Sequence, residues 1–156
     1  RPPRARADPR RAWRESLRRV TAHLGLRIET SKKTETIDIT ERVAEKVKAA
    51  KIGDGICVVT VAHTTAGIFV NENADPDVQR DLLTTLARLV PDAGDYRHAE
   101  GNGPAHIKSV LVGGDITVAI KDGELALGRW QGIYFAEFDG PRTRSATVTV
   151  VGERAG

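Results

Sequence analysis

Three of the four histidines, His63, His98 and His106, lie in segments that are turn-like or that follow an apolar run typical of a strand. Three neutral imidazoles with one open position form a catalytic metal site in many enzymes, so these residues are candidate ligands for a divalent metal, most plausibly zinc. The spacing is not diagnostic, because the chain has no His-x-x-x-His or Cys-x-x-Cys pair. Histidines that hydrogen-bond backbone groups at loop ends are an equally good interpretation of the residues alone.

Two carboxylates are candidates for acid–base chemistry. Glu100 follows His98 by two residues and could act as a general acid or base, or orient a metal-bound water. Glu72 lies at the end of a predicted strand and could do the same. Asp75 and Asp77, in contrast, are well explained as the cap and the first-turn acid of a predicted helix.

An anionic ligand needs cationic or amide donors, and the candidate phosphate-binding residues are Lys108, Asn102, Gln131 and Arg142. A guanidinium suits the geometry of a phosphate, and Asn102 lies in a Gly-rich loop whose backbone amides could approach an oxyanion. Arg144 is a further candidate, with the alternative that a residue of an alternating strand simply faces solvent. No Walker-type loop or dinucleotide fingerprint supports these candidates. A Mg²⁺ ion bound with a pyrophosphate substrate is also possible.

The elements that must position these residues follow from hydrophobic periodicity and turn chemistry. Helices are predicted over residues 40–50, beginning at Thr40 as N-cap, and over 76–90, with a short helix over 106–112. Strands are predicted over residues 26–30, 35–39, 56–62, 66–70, 116–120, 125–127, 130–138 and 144–151. The pattern predicts an α+β fold with mainly antiparallel strands and two main helices. The loop over residues 91–105 is too long for a simple connector, which favours a functional role.

Length and composition predict a single soluble domain. The chain has 156 residues with 40% hydrophobic residues, which suits one core. No apolar run reaches the roughly 18 residues that span a bilayer, and residues 1–24 do not resemble a secretion signal, so we expect a cytoplasmic protein without membrane association. The one cysteine, Cys57, lies among apolar strand residues and is predicted to be a buried, inert thiol.

Residues 1–24 form a basic N-terminal extension to a domain predicted over residues 25–156. Residues 1–19 contain eight Arg and two acidic residues, whereas the whole chain has a net charge of +3. Such a segment could contact nucleic acid, but no aromatic platform or binding motif accompanies the arginines, so we do not expect nucleic-acid binding. We expect the extension to be disordered, with a short helix over residues 10–24.

Six segments resemble, in order and spacing, the pattern of the YjbQ (UPF0047) family. They are His63-Thr-Thr-Ala-Gly67, Val70-Asn-Glu-Asn-Ala-Asp-Pro-Asp-Val78, Tyr96-Arg-His-Ala-Glu-Gly101, Ala105-His-Ile-Lys108, Leu127-Gly-Arg-Trp-Gln131 and Glu137-Phe-Asp-Gly-Pro-Arg142. The resemblance covers roughly residues 26–152. Two positions depart from the family pattern: Arg129 replaces a Thr, and Asp115 replaces a Ser.

The resemblance implies a β-sandwich-like α+β domain that assembles as a homotrimer and carries a histidine-lined site. Members of the family are described as secondary thiamine-phosphate synthases, which join a pyrimidine pyrophosphate to a thiazole phosphate with loss of pyrophosphate. The sequence therefore leaves two classes of function open. One is a transferase acting on a small phosphorylated molecule; the other is a metal- or small-ligand-binding trimer without thiamine-related catalysis.

Overall fold

A computed structural model describes residues 19–154, which form two antiparallel sheets and three helices. The strands are β1 (Arg19–Glu29), β2 (Glu35–Asp38), β3 (Ile52–Thr60), β4 (Ala66–Glu72), β5 (Asp115–Lys121), β6 (Glu124–Leu125), β7 (Gln131–Glu137) and β8 (Thr143–Arg154). The helices are α1 (Thr40–Ala49), α2 (Pro76–Leu89) and α3 (Gly103–Val112). The larger sheet has the strand order β1-β8-β3-β5-β6, and the smaller one has the order β2-β7-β4.

Strand β8 shows how the sequence builds the larger sheet. Its residues alternate between exposed and buried from Thr143 to Val148, because successive side chains of a strand point to opposite faces. The buried set, including Ala146, Val148 and Val150, packs with Ile28, Val59 and their neighbours into the main core. The alternation predicted from the sequence is therefore confirmed in this strand.

Strand β7 is buried on both faces, and this burial defines the layers of the domain. Ile133 and Phe135 belong to the main core between the two sheets. Ala136 and Phe138, which point the other way, pack with Leu86 of α2 and with α3 in a second, smaller core. The smaller sheet is thus a central layer, with the larger sheet on one side and helices α2 and α3 on the other.

The helices begin where local capping chemistry allows. Asp75 caps α2 by accepting a hydrogen bond from the Asp77 backbone N–H at 2.9 Å, and Pro76 follows at the first position, as predicted. For α1, the prediction of Thr40 as N-cap is wrong: the N-cap is Ile39, which makes no side-chain capping bond, and Thr40 is the first helical residue. The carboxylate of Asp38 accepts the Thr40 N–H at 2.9 Å. The Thr40 hydroxyl instead accepts the Ile133 N–H at 2.9 Å, which ties α1 to β7.

Two predicted boundaries are wrong. Residues Arg19–Leu24 are not helical, because they continue β1 and pair with the C-terminal half of β8. The remainder of the predicted helix, residues 10–18, lies outside the described residues. Helix α3 begins at Gly103 rather than His106, and it is a third full helix beside the two predicted ones. No helix within residues 19–154 combines the length and apolar character needed to cross a bilayer.

Candidate active site

The long loop between α2 and α3, together with α3 itself, carries five of the nine predicted site residues, and two depressions flank the first turn of α3. One has a volume of about 410 Å³ and is lined by Asp95, Tyr96, Arg97, His98, Gly103, His106 and Ile107. The other has a volume of about 130 Å³ and is lined by Lys33, Asp92, Glu100, Gly101, Asn102, Pro104, Ala105, Phe138 and Asp139. The loop therefore forms a wall that two adjoining surface cavities share.

His98 and His106 face each other in the larger depression. Their ring centroids are 5.0 Å apart, and the rings meet edge to face at an interplanar angle of 85°. Glu100 Oε2 lies 3.7 Å from His98 Nε2, on the side of the smaller depression. Because an imidazole can both donate and accept a proton near neutral pH, two imidazoles beside a carboxylate form a plausible acid–base centre.

His63 has a different environment from the other two predicted ligands. Its Nε2 accepts a hydrogen bond from the backbone N–H of Ser145 at 3.0 Å. Burial and the positive charge of Arg144 lower the pKa of His63, which favours the neutral imidazole. The backbone hydrogen bond matches the interpretation of a histidine at a loop end.

A buried ion pair lies next to His63, and sequence reasoning missed it. Glu137 at the end of β7 and Arg144 at the start of β8 are almost fully buried, and Arg144 Nη2 lies 2.6 Å from Glu137 Oε1. Burial alone would raise the pKa of Glu137, but hydrogen bonds from Arg144, the Asp139 N–H and Thr30 outweigh it and lower the pKa. Of the two alternatives for Arg144, the one in which it faces solvent is therefore wrong. An alternating strand has an inward face, and a charge can occupy it when a partner is present.

The four predicted phosphate-binding residues do not all lie together. Lys108 is buried, and its Nζ lies 3.4 Å from Asp92 Oδ1. Arg142 donates to the Asp139 carboxylate at 2.8 Å, and Asn102 donates to the same oxygen at 2.9 Å. These three residues adjoin the smaller depression or the loop beside it.

Glu72 and Gln131 lie at the opposite end of the smaller sheet. They are paired at one end of the β4–β7 ladder, whereas Ala66 and Glu137 are paired at the other. Six residues of strand separate the two ends by roughly 20 Å. Gln131 Oε1 accepts the Gly128 N–H at 2.7 Å, so this side chain stabilises its own turn. Within one chain, the fold does not bring Glu72 and Gln131 to the histidines.

The two family departures also lie away from the histidines. The Arg129 guanidinium stacks over the Trp130 ring at 4.8 Å from its centroid, and Trp130 is exposed. Asp115 is exposed at the start of β5, where it pairs with Thr60. Cys57 is buried, and burial raises the pKa of its thiol to about 11, which keeps it protonated. None of these residues contributes to the two depressions.

The residues of one chain do not complete the predicted metal site. Within residues 19–154, no group of three or more His, Cys, Asp or Glu side chains is arranged to hold an ion. His98 and His106 offer two nitrogen donors, whereas a catalytic zinc site normally has three protein ligands. Zinc and Mg²⁺ accordingly remain predictions, and the chemistry proposed below uses only the side chains of the chain.

The fold and the loop site define a class: an α+β domain with two stacked antiparallel sheets, helices over the smaller sheet, and a histidine-bearing loop at its edge. The family profile described as "UPF0047 protein YjbQ-like" matches residues 25–153. The chain belongs to the YjbQ (UPF0047) family, as the six sequence segments predicted.

Similar proteins come from archaea and bacteria. UPF0047 protein MJ1081 of Methanocaldococcus jannaschii is 50% identical over 127 residues, covering 81% of this chain and 92% of that protein. UPF0047 protein YugU of Bacillus subtilis is 47% identical over 128 residues, covering 81% and 97%.

Two crystal structures show the same fold. A YjbQ/UPF0047 family protein from Clostridium acetobutylicum has a TM-score of 0.80 and 50% identity, covering 81% of this chain and 98% of that one. A YbjQ-like protein from Sulfolobus solfataricus has a TM-score of 0.84 and 31% identity, covering 86% and 99%.

Proposed function

We propose that this protein is a transferase acting on a small phosphorylated substrate in the depression between His98 and His106. The reaction proposed is the formation of thiamine phosphate from a pyrimidine pyrophosphate and a thiazole phosphate. The observation that carries the proposal is the pair of imidazoles, 5.0 Å apart, at the wall of an open cavity of about 410 Å³. A cavity of this volume falls within the range of small-molecule sites.

The proposed reaction needs charge stabilisation more than it needs a nucleophile from the protein. The thiazole nitrogen attacks the methylene carbon of the pyrimidine, the carbon–oxygen bond breaks, and its electron pair leaves with pyrophosphate. A protonated imidazole of His98 or His106 can donate a hydrogen bond or a proton to the departing oxygen. Glu100 Oε2 lies 3.7 Å from His98 Nε2, close enough to orient that imidazole after a small movement of either side chain. Cations near the loop, with Lys108 the most buried, balance the charge that grows on the leaving group.

The test is thiamine-phosphate formation by matched histidine variants. We expect His98→Ala and His106→Ala to fold as the parent does, because both residues lie at a cavity wall, and to abolish product formation. His23→Ala is the control, since His23 is exposed on β1 and bonds only Thr149 Oγ1, at 3.0 Å, among the described residues. An inactive parent, or unchanged activity in both site variants, would favour the alternative function, a trimeric binder of a metal or small ligand.

The proposed homotrimer rests on an unusual helix. Helix α3 buries the polar residues Lys108 and Ser109 but exposes Ile107, Val110 and Leu111, with Val110 at 82% exposure. These three apolar residues follow helical spacing and share one face. An exposed apolar face is typical of a subunit contact. We propose that other copies of this chain cover it, next to the depression that Ile107 and His106 line.

A further inference from the structure

Lys108 occupies an environment that its own chain does not fully satisfy. The residue is 5% exposed, although lysine is rarely buried without a partner. Its ammonium group has three donors. Among residues 19–154, its one hydrogen bond goes to Asp92 Oδ1 at the long distance of 3.4 Å. A buried cation with one weak contact is suited to a further acceptor.

Asp92 bridges this lysine to a second one. Asp92 Oδ2 accepts from Lys33 Nζ at 2.8 Å while Oδ1 faces Lys108, so one carboxylate lies between two ammonium groups. The hydrogen bond from Lys33 is the main reason why the pKa of Asp92 is lowered, and the charge of Lys108 adds to it. The carboxylate itself is 62% exposed, so it can turn into solvent with little loss of packing.

Two cavities meet at this bridge. Asp92 lines the depression of about 130 Å³ that also contains Lys33 and Asn102. It also lines a cleft of about 480 Å³ that contains Lys108, Thr34 and Thr84. An oxyanion that entered from either side would reach both ammonium groups once the carboxylate had moved.

We propose that Lys33 and Lys108 form a binding site for a phosphate group, and that Asp92 is an internal counterion which the phosphate displaces. Two lysines act as point charges toward phosphate, and a bridging carboxylate imitates the two oxygens that a phosphate would present. A dianion balances the two ammonium charges, whereas Asp92 balances one of them. This inference rests on the proposed phosphorylated substrate and adds Lys33 and Asp92, which sequence analysis did not select.

The competition has a measurable consequence. Because Asp92 occupies the site in the free protein, the apparent affinity for phosphate equals the intrinsic affinity multiplied by the fraction of molecules in which the site is open. Removing its charge must therefore tighten binding, although most substitutions near a binding site weaken it. If Asp92 served only to hold the two lysines in place, removing its charge would not increase the affinity for phosphate.

The experiment is calorimetric titration of the full chain with inorganic phosphate at fixed ionic strength. We expect Asp92→Asn to bind phosphate several-fold more tightly than the parent, and Lys33→Gln to bind it about tenfold more weakly, as the loss of one charge-assisted hydrogen bond implies. The controls make the same charge changes at exposed positions. They are Lys32→Gln, next to Lys33, and Asp115→Asn on β5, and both should bind as the parent does.

Three outcomes would overturn the inference: no phosphate binding in the parent and Asp92→Asn, weaker binding in Asp92→Asn, or equal binding in Lys33→Gln and Lys32→Gln. Lys33 is 65% exposed, so Lys33→Gln remains informative if Asp92→Asn does not fold. The titration measures phosphate binding and does not depend on catalysis. If phosphate binds as expected but the protein forms no thiamine phosphate, only the proposed function is contradicted. If His98→Ala abolishes synthesis but Lys33→Gln binds phosphate as the parent does, only this inference is contradicted.

Discussion

Replacing Glu137 with glutamine should destabilise the domain strongly, although the change replaces only one oxygen atom with an NH₂ group. The Glu137 carboxylate accepts five hydrogen bonds, two from Arg144 and one each from Thr30 Oγ1 and the Phe138 and Asp139 N–H groups. Glutamine keeps one acceptor oxygen and turns the other into an NH₂ group, which cannot accept. It also removes the charge that balances Arg144, whose side chain is 3% exposed.

The magnitude follows from this burial. Leaving one member of a buried ion pair without its partner costs about 3–5 kcal/mol, which is a large part of the stability of a typical domain. Urea unfolding of Glu137→Gln at neutral pH and fixed protein concentration should give a loss of this size with an unchanged denaturant slope. Glu29→Gln makes the same chemical change at an exposed pair with Arg27, and its unfolding midpoint should match the parent.

A double substitution distinguishes the cost of losing the ion pair from the cost of leaving one of its charges buried without a partner. Arg144→Leu alone leaves a buried carboxylate, whereas Glu137→Leu with Arg144→Leu removes both charges and should recover part of the loss. A Glu137→Gln variant within about 1 kcal/mol of the parent would refute the argument that Arg144 depends on this carboxylate.

Three further predictions concern other parts of the chain. The lowered pKa of His63 means that its contribution to stability is present above its ordinary pKa of 6.5 and is lost as pH falls through the lower folded-state value. In urea unfolding at a series of pH values, His63→Gln should therefore lose less stability on acidification than the parent, and an equal loss in both proteins would contradict this. Val110→Glu should dissociate the proposed trimer, so that light scattering gives the mass of a single chain. Ala49→Glu, at an exposed position of α1, should keep the mass of the parent. Gly55→Ala should destabilise the protein, because a Cβ there overlaps the Val151 carbonyl on β8, whereas Gly25→Ala, with no atom within 4 Å of the added carbon, should be tolerated.

Much of the fold could be predicted because hydrophobic periodicity and capping residues indicate the same helices and strands. Apolar alternation identified the main strands, and Asp75 followed by Pro76 identified the start of α2. The start of α3 was missed because Gly103 and Pro104 are typical of a loop, although proline also suits the first turn of a helix. The start of β1 was missed because residues 19–24 were grouped with the Arg-rich segment before them, although Val20, Ala22 and Leu24 alternate with polar residues as in a strand that pairs with β8.

The candidate site was harder to predict, because its composition depends on strand register. The sequence identified His98, Glu100, Asn102, His106 and Lys108, which one loop and one helix bring together. It gave no indication that Glu72 and Gln131 would lie at the far end of the β4–β7 ladder. Nor did it indicate that Lys33, before β2, would share a carboxylate with Lys108, 75 positions further along the chain.

In the function proposed for this protein, a phosphorylated substrate binds and reacts between His98 and His106. A crystal structure of the protein with thiamine phosphate, the proposed product, tests it most directly. We expect the ligand in the depression lined by Tyr96, His98 and His106, with an imidazole nitrogen within hydrogen-bonding distance. Thiamine phosphate bound elsewhere, such as the cleft between α1 and β6 lined by Lys48 and Leu125, with the histidine depression empty, would contradict it.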